Sequence, residues 1–242
     1  MQSDYKEDAL ELSSKKVLVT GGGEGIGKAI AAALRQKGAD VAITGRRADV
    51  LEAAAEELDL WAIPGDVSVE ADVVATVQQF VERHGRIDVL VNNAGFGYFA
   101  PLTELDRERF EEVFATNVTG AMLMAREAAR HFVRQRSGHL INISSTSGLK
   151  GGRNATAYSA SKFALRGMTE CWREELRRHD VRVILVNPSE VLTNFSRHAG
   201  YEQEHSDRKL RGREIADALV GVLEVDDRGF VPEFSVFATN PF

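Results

Sequence analysis

The chain has 242 residues, of which 43% are hydrophobic and 27% charged, with a formal net charge of −6 and one cysteine, Cys171. That length suits one large α/β domain with a sizeable core, and the acidic balance argues against nucleic acid or an anionic membrane as the main partner. No apolar run approaches the ~20 residues of a membrane span, a lone cysteine excludes an intrachain disulfide, and the polar start from Met1 to Asp8 does not read as a secretory signal, so a cytoplasmic protein is expected.

Residues 1–14 read as a loosely held extension. The run 15–20, Lys-Lys-Val-Leu-Val-Thr, is short and nearly all apolar, as in the buried centre of a parallel sheet. Gly21, Gly22, Gly23, Gly25 and Gly27 follow at once, and 26–36 then has helical composition, with Ile30, Ala33 and Leu34 on one face. Glycines in a strand–turn–helix context let the backbone approach a pyrophosphate, which the helix N-terminus can bind. A generic turn between strand and helix is the alternative reading of this segment taken alone.

A second strand is expected over 40–44 and a helix over 48–58. An acidic residue about 20 positions past a glycine loop selects NAD by binding the ribose 2′-hydroxyl. Gly45 stands there instead, followed by Arg46 and Arg47, and a guanidinium fork suits the 2′-phosphate of NADP. The two arginines also suit the exposed start of a helix. Glu24, inside the glycine loop, would oppose a phosphate unless it turns outward. NADP is the expected cofactor and NAD the alternative.

Strands over 60–63, 87–91, 138–143, 181–186 and 229–237 alternate with helices over 69–84, 106–135, 157–179 and 213–224. Such alternation predicts an α/β, doubly wound Rossmann fold: a seven-stranded parallel sheet flanked by helices. No linker or internal repeat divides the chain, so 1–242 is expected to be a single domain. The polar stretch 189–211 exceeds the usual length of a structureless connection and reads as a substrate loop. Cys171 falls in a helical run and is expected to be packed inside.

Tyr158 and Lys162 are four apart on the helix expected over 157–179, so both side chains can reach one cleft. A tyrosine with its ordinary pKa near 10 shuttles protons poorly at neutral pH, and a cation beside it favours the phenolate. That is how a tyrosine becomes a general acid/base. The same pair arises on solvated helix faces, so its meaning depends on the other motifs. The six histidines show no metal-site spacing, and no metal is expected.

These signals together resemble the short-chain dehydrogenase/reductase family over nearly the whole chain. Thr20-Gly21-x-x-x-Gly25-x-Gly27 is similar to its cofactor loop and Asn92-Asn93-Ala94-Gly95 to the motif after its fourth strand. Asn117 is similar to its helix asparagine, Ser145 lies thirteen residues before Tyr158 as its catalytic serine does, and Asn187-Pro188 is similar to the segment after its sixth strand. The resemblance implies an oxidoreductase interconverting a carbonyl and an alcohol. Tyr158 would be the proton donor, Lys162 the ribose contact that tunes it, Ser145 the carbonyl-oxygen donor, and Asn117 the holder of a water beyond the lysine. Cofactor contacts are implied at Gly21, Gly25, Ile26, Gly27, Arg46, Arg47, Asp66, Val67, Asn93, Ala94, Gly95, Tyr158, Lys162, Pro188 and Thr193.

Two departures bear on the substrate. Ser189 stands where many members have glycine, and the chain end lacks the usual T-G-x-x-x-x-x-D-G-G segment. The ending is more similar to the branch acting on small 3-hydroxy acids or broad carbonyl compounds than to acyl-carrier-protein reductases. Phe96, Tyr98, Phe99, Leu149, Leu192 and Phe195 are candidates for the substrate wall, with Lys150, Arg153 and Arg197 as possible partners of a carboxylate. Other readings are a 3-oxoacyl-type reductase and a catalytically silent dinucleotide sensor, while an epimerase or dehydratase is disfavoured by length and glycine spacing. The resemblance also implies a homo-oligomer, a tetramer or alternatively a dimer, built on the long helices that carry Phe110, Phe114, Met122, Met124, Phe163, Leu165 and Met168.

Overall fold

The short apolar runs pair as strands flanked by glycine or polar turns, and amphipathic helices cover both faces of the central ones, β1, β4 and β5. The computed structural model describes residues 11–200, 206–226 and 228–240. Strands β1 (Lys16–Thr20), β2 (Asp40–Gly45), β3 (Trp61–Pro64), β4 (Val89–Asn92), β5 (Gly138–Ile143), β6 (Val181–Pro188) and β7 (Glu233–Val236) form one sheet. Its order is β3-β2-β1-β4-β5-β6-β7, and every neighbouring pair is parallel. The helices are α1 (Gly25–Gln36), α2 (Ala48–Leu58), α3 (Glu70–His84), α4 (Arg107–Phe114), α5 (Ala121–Gln135), α6 (Thr156–Leu176), α7 (Phe195–His198) and α8 (Gly212–Leu223).

Two apolar cores lie on opposite faces of the sheet. Val17, Val19, Val41, Ile43 and Ile141 point to one core, where Ile30 and Leu34 of α1 and Leu219 of α8 meet them. Leu18, Ala42, Leu90 and Leu140 point to the other, against Phe80 of α3 and Met124 and Phe132 of α5. This alternation puts Val17, Leu18 and Val19 all out of water, which is why β1 carries no polar face. Each fully buried Leu, Ile or Phe contributes about 1.5–3 kcal/mol relative to exposure. After β1 the chain builds outward through β2 and β3, then returns to β4 on β1's other edge. The reversal opens a crevice at the carboxyl ends of β1 and β4, where open α/β sheets bind ligands.

Several expectations are revised. The helix expected over 106–135 is interrupted: α4 passes into a π-helical turn, Ala115–Gly120, before α5 begins. There Asn117 turns inward and Gly120 lies where a Cβ would be 2.8 Å from Val67, an irregularity common at functional sites. The expected 157–179 helix ends at Leu176 in a tighter 3-10 turn, Arg177–His179. Cys171 is exposed rather than packed, because the buried stripe of α6 runs through Leu165, Thr169 and Leu176. Of the expected loose extension, residues 1–10 lie outside the described residues, but Leu12 is buried in the core and Ser14 N–H binds the Gly38 carbonyl at 3.1 Å. The stretch 189–211 carries α7 and a bridge between Val191 and Leu210, with 201–205 outside the described residues. No helix among the described residues is long and apolar enough to cross a membrane.

Candidate active site

The glycine loop needs its glycines for separate reasons. Gly21 and Gly25 have φ of 63° and 58°, the left-handed region that glycine enters without strain. A Cβ on Gly27 would sit 2.3 Å from the Gly21 carbonyl oxygen and 2.4 Å from Asn93 Nδ2, so only glycine lets α1 start so close to the loop. Thr20 and Asn93 lock that loop to the end of β4. The Asn93 and Ala94 N–H groups donate to Thr20 Oγ1 at 3.0 and 2.9 Å, and Asn93 Nδ2 donates to the carbonyls of Thr20 and Gly21 at 3.0 and 3.1 Å. The Glu24 side chain makes no capping bond to the first turn of α1. Gly25 and Ile26 there border the cleft, with the positive end of the helix dipole facing in.

Arg46, Arg47 and Asp66 stand at the ends of β2 and β3, with Val67 beside them. Arg47 forms an ion pair with Glu24, whose other oxygen accepts from Asn194 Nδ2 at 2.9 Å. One carboxylate therefore joins the glycine loop, the exit of β2 and the loop after β6. Arg46 Nη1 lies 4.0 Å from Asp66 Oδ2. Asp66 Oδ1 accepts from Ser68 N–H and Oγ at 2.9 and 2.7 Å, so this aspartate shapes its turn as well as bordering the cleft.

The catalytic candidates come from α6 and the loop after β5. Ser145 lies two residues past that strand and accepts from Ser147 N–H at 3.1 Å, which fixes the turn presenting its hydroxyl. Lys162 is nearly fully buried, donates to the Ile143 carbonyl at 2.8 Å, and holds Nζ 5.7 Å from the centre of the Tyr158 ring. Burial pushes its pKa down from 10.5 to about 8. Ser161 Oγ donates to the Tyr158 carbonyl at 2.7 Å and accepts from Asn117 Nδ2 at 3.0 Å. Asn117 also clamps Phe96, accepting from its N–H at 3.0 Å and donating to its carbonyl at 2.9 Å. Gly95 permits this approach, since a Cβ there would lie 2.9 Å from Asn117 Oδ1.

These groups converge on one cleft of about 740 Å³ at the strand switch point. Gly21, Gly25, Ile26, Arg46, Arg47, Asp66, Val67, Asn93, Ala94, Gly95, Ser145, Tyr158, Lys162, Pro188 and Thr193 all border it. Gly27 and Asn117 act from behind the wall through the contacts above. Of the expected substrate wall, Phe96, Phe99 and Phe195 border the cleft. Tyr98 instead bonds through its hydroxyl to Glu104 O and Asp106 N–H, Leu149 faces solvent, and the Leu192 N–H is tied to the Leu210 carbonyl. Lys150 and Arg153 are exposed away from the cleft, and the Arg197 side chain lies outside the described residues. Thr20, Ser161 and Asn194 were not expected as site residues. Thr20 and Ser161 lie inside the recognised motifs, but nothing local marks Asn194.

The fold and cleft are those of a dinucleotide-binding oxidoreductase, and comparison with known proteins gives the family. The short chain dehydrogenase family model matches residues 15–204. An uncharacterized oxidoreductase of Staphylococcus epidermidis is 30% identical over 215 residues, 88% of this chain and 92% of that protein. One from Staphylococcus aureus is 33% identical over 229 residues, 93% of this chain and 97% of its own. Among solved structures, an alcohol dehydrogenase from the archaeon Thermococcus sibiricus complexed with 5-hydroxy-NADP superposes with a TM-score of 0.87 at 29% identity, covering 94% of this chain and 97% of that one. A 3-ketoacyl-(acyl-carrier-protein) reductase from Brucella melitensis complexed with NADH gives 0.88 at 27% identity, covering 94% and 98%. A metagenomic short-chain oxidoreductase in complex with NADP gives 0.83 at 33% identity, covering 95% and 99%. The chain belongs to the short-chain dehydrogenase family and is an oxidoreductase that uses a nicotinamide dinucleotide.

Proposed function

We propose that this enzyme interconverts a small carbonyl compound and its alcohol, with NADP(H) preferred over NAD(H), in the cytoplasm. The convergence of Ser145, Tyr158 and Lys162 with the glycine loop in one cleft carries this reading. The loop fits a pyrophosphate: its glycines leave backbone where side chains would intrude, and the first turn of α1 faces the space. Arg46 and Arg47 would hold the 2′-phosphate, Asp66 and Val67 the adenine, and Lys162 the ribose nearest the reacting carbon. The nicotinamide, when bound, supplies or removes the hydride.

This chain's residues handle the proton. The Ser145 hydroxyl donates to the carbonyl oxygen and holds it against Tyr158, which gives its phenolic proton to that oxygen during reduction and takes it back during oxidation. Lys162, charged below about pH 8, stabilises the negative charge left on the phenol oxygen. Asn117 spends both Nδ2 hydrogens on Phe96 and Ser161, so a water it shares with Lys162 would have to donate to one of its two carbonyl oxygens. A silent sensor would have no use for this constellation. A 3-oxoacyl reductase is the second reading, favoured by the likeness to the Brucella melitensis enzyme. Carbonyl-dependent loss of NADPH absorbance tests the proposal, and Tyr158→Phe should reduce kcat at least a hundredfold while leaving NADPH affinity within about threefold. Turnover surviving in that variant would remove Tyr158 as the acid.

A further inference from the structure

Resting on the small-carbonyl reading, we propose that the substrate is a neutral carbonyl compound with a flat apolar group, such as an aryl ring, next to its carbonyl, packed against the sides of Phe99 and Phe195 that border the cleft. The Tyr158 ring is flanked by both: its centroid is 5.6 Å from that of Phe99 and 5.3 Å from that of Phe195, with the planes tilted by 47° and 56°. Those separations fall in the range of favourable edge-to-face aromatic contacts. Gly97 closes the group from behind. A Cβ there would lie 2.6 Å from Phe99 and 2.8 Å from Phe195, so the absence of a side chain sets how deeply both rings reach.

Charge points the same way. Among the described residues, the cations bordering the cleft are Arg46, Arg47 and Lys162. The two arginines stand at the far end, where β2 stops, and Lys162 is committed beside Tyr158. Glu190, which borders the cleft beyond β6, is a carboxylate held by Lys209 at 3.0 Å. A carboxylate substrate would therefore leave water for an apolar wall without a fresh cation to receive it, a burial that costs heavily. An aryl ketone brings no charge to that wall and can pack against Phe99 and Phe195.

The reaction balances as R–CO–R′ + NADPH + H⁺ → R–CHOH–R′ + NADP⁺. The hydride pair adds to the carbonyl carbon, the Tyr158 proton goes to oxygen, and solvent returns that proton.

Two matched pairs of probes separate the terms: acetophenone against butanone for the ring, and ethyl acetoacetate against the acetoacetate anion for the charge. Acetophenone should exceed butanone, and the ester the anion, by at least tenfold in kcat/KM. Phe195→Ala should lower kcat/KM for acetophenone at least fivefold more than for butanone, chiefly through KM. Gly97→Ala should displace the rings with the same preference lost, and NADPH binding checks that each variant is folded. If the anion is reduced as fast as its ester, a cation such as Arg197 receives it and the neutral-substrate inference is wrong. If both ketones lose equally in Phe195→Ala, the ring contact is not used. If NADPH binds but none of the four carbonyls is reduced, the small-carbonyl reading under the proposed function falls, along with this one.

Discussion

Lys162 is held at a cost to the fold, and replacing it by methionine should make the cofactor-free protein more stable while destroying its activity. The ammonium is buried, and its pKa falls from 10.5 to about 8 because water no longer solvates the charge. At ~1.4 kcal/mol per pH unit, that gap corresponds to about 3 kcal/mol. Between about pH 8 and 10.5 the unfolded chain keeps a proton on this lysine that the folded chain has lost, so stability rises with pH across the window. Below about pH 8 the full cost is present; above 10.5 it vanishes. Methionine keeps most of the length and apolar stem but carries no charge. It also loses the bond from Nζ to the Ile143 carbonyl, which offsets about 1 kcal/mol of the gain. The net expectation is about 2 kcal/mol of added stability at pH 7, shrinking and then reversing as pH approaches 10.5. Urea denaturation of cofactor-free wild type and Lys162→Met at fixed protein concentration, at pH 7, 8.5 and 10, measures it. A variant no more stable than wild type at pH 7, or a difference that does not change with pH, would refute the reasoning.

If Arg47 holds the 2′-phosphate as proposed, its ion pair with Glu24 competes with NADPH. Glu24→Ser should free the guanidinium and strengthen NADPH binding about three- to tenfold with little effect on NADH, whereas Gly45→Asp with Arg46→Ala should reverse the preference, since charge-assisted contacts contribute about 1.5–3 kcal/mol. Equal efficiency with both cofactors in wild type, and no response in either variant, would mean that the arginines act only at the surface. The groove between α5 and α6, lined by Met122, Ala129, Val133 and Trp172, together with Phe163 at 46% exposure, leaves more apolar helix surface than the sheet covers. A homotetramer, or failing that a dimer, is therefore expected in light scattering. A single species near the 26.6 kDa chain mass at micromolar concentration would exclude both.

How much of this was legible in the sequence depended on how far apart the cooperating residues lie. Strand and helix identity follow from local apolar runs and 3.6-residue periods, and the crevice follows from parallel alternation. The glycine loop, Tyr158 and Lys162 were readable because each motif sits within a few residues, on one turn or one helix face. Element ends were less legible, because the π-helical turn at Asn117 depends on Phe96 and Ser161, neither of which is a helical neighbour. The exposure of Cys171 depends on which face of α6 meets the sheet, and composition does not encode that rotation. The Glu24–Asn194 bond joins residues 170 positions apart, and the clamp around Tyr158 brings together Phe99 from the loop after β4 and Phe195 from the start of α7. The sequence alone therefore determined the fold class and picked out the glycine loop and the Tyr158–Lys162 pair that border the cleft. Only the tertiary structure decided which carboxylates face the arginines and which aromatic rings border the cleft beside Tyr158, because those contacts exist only once the sheet brings its carboxyl-end loops together.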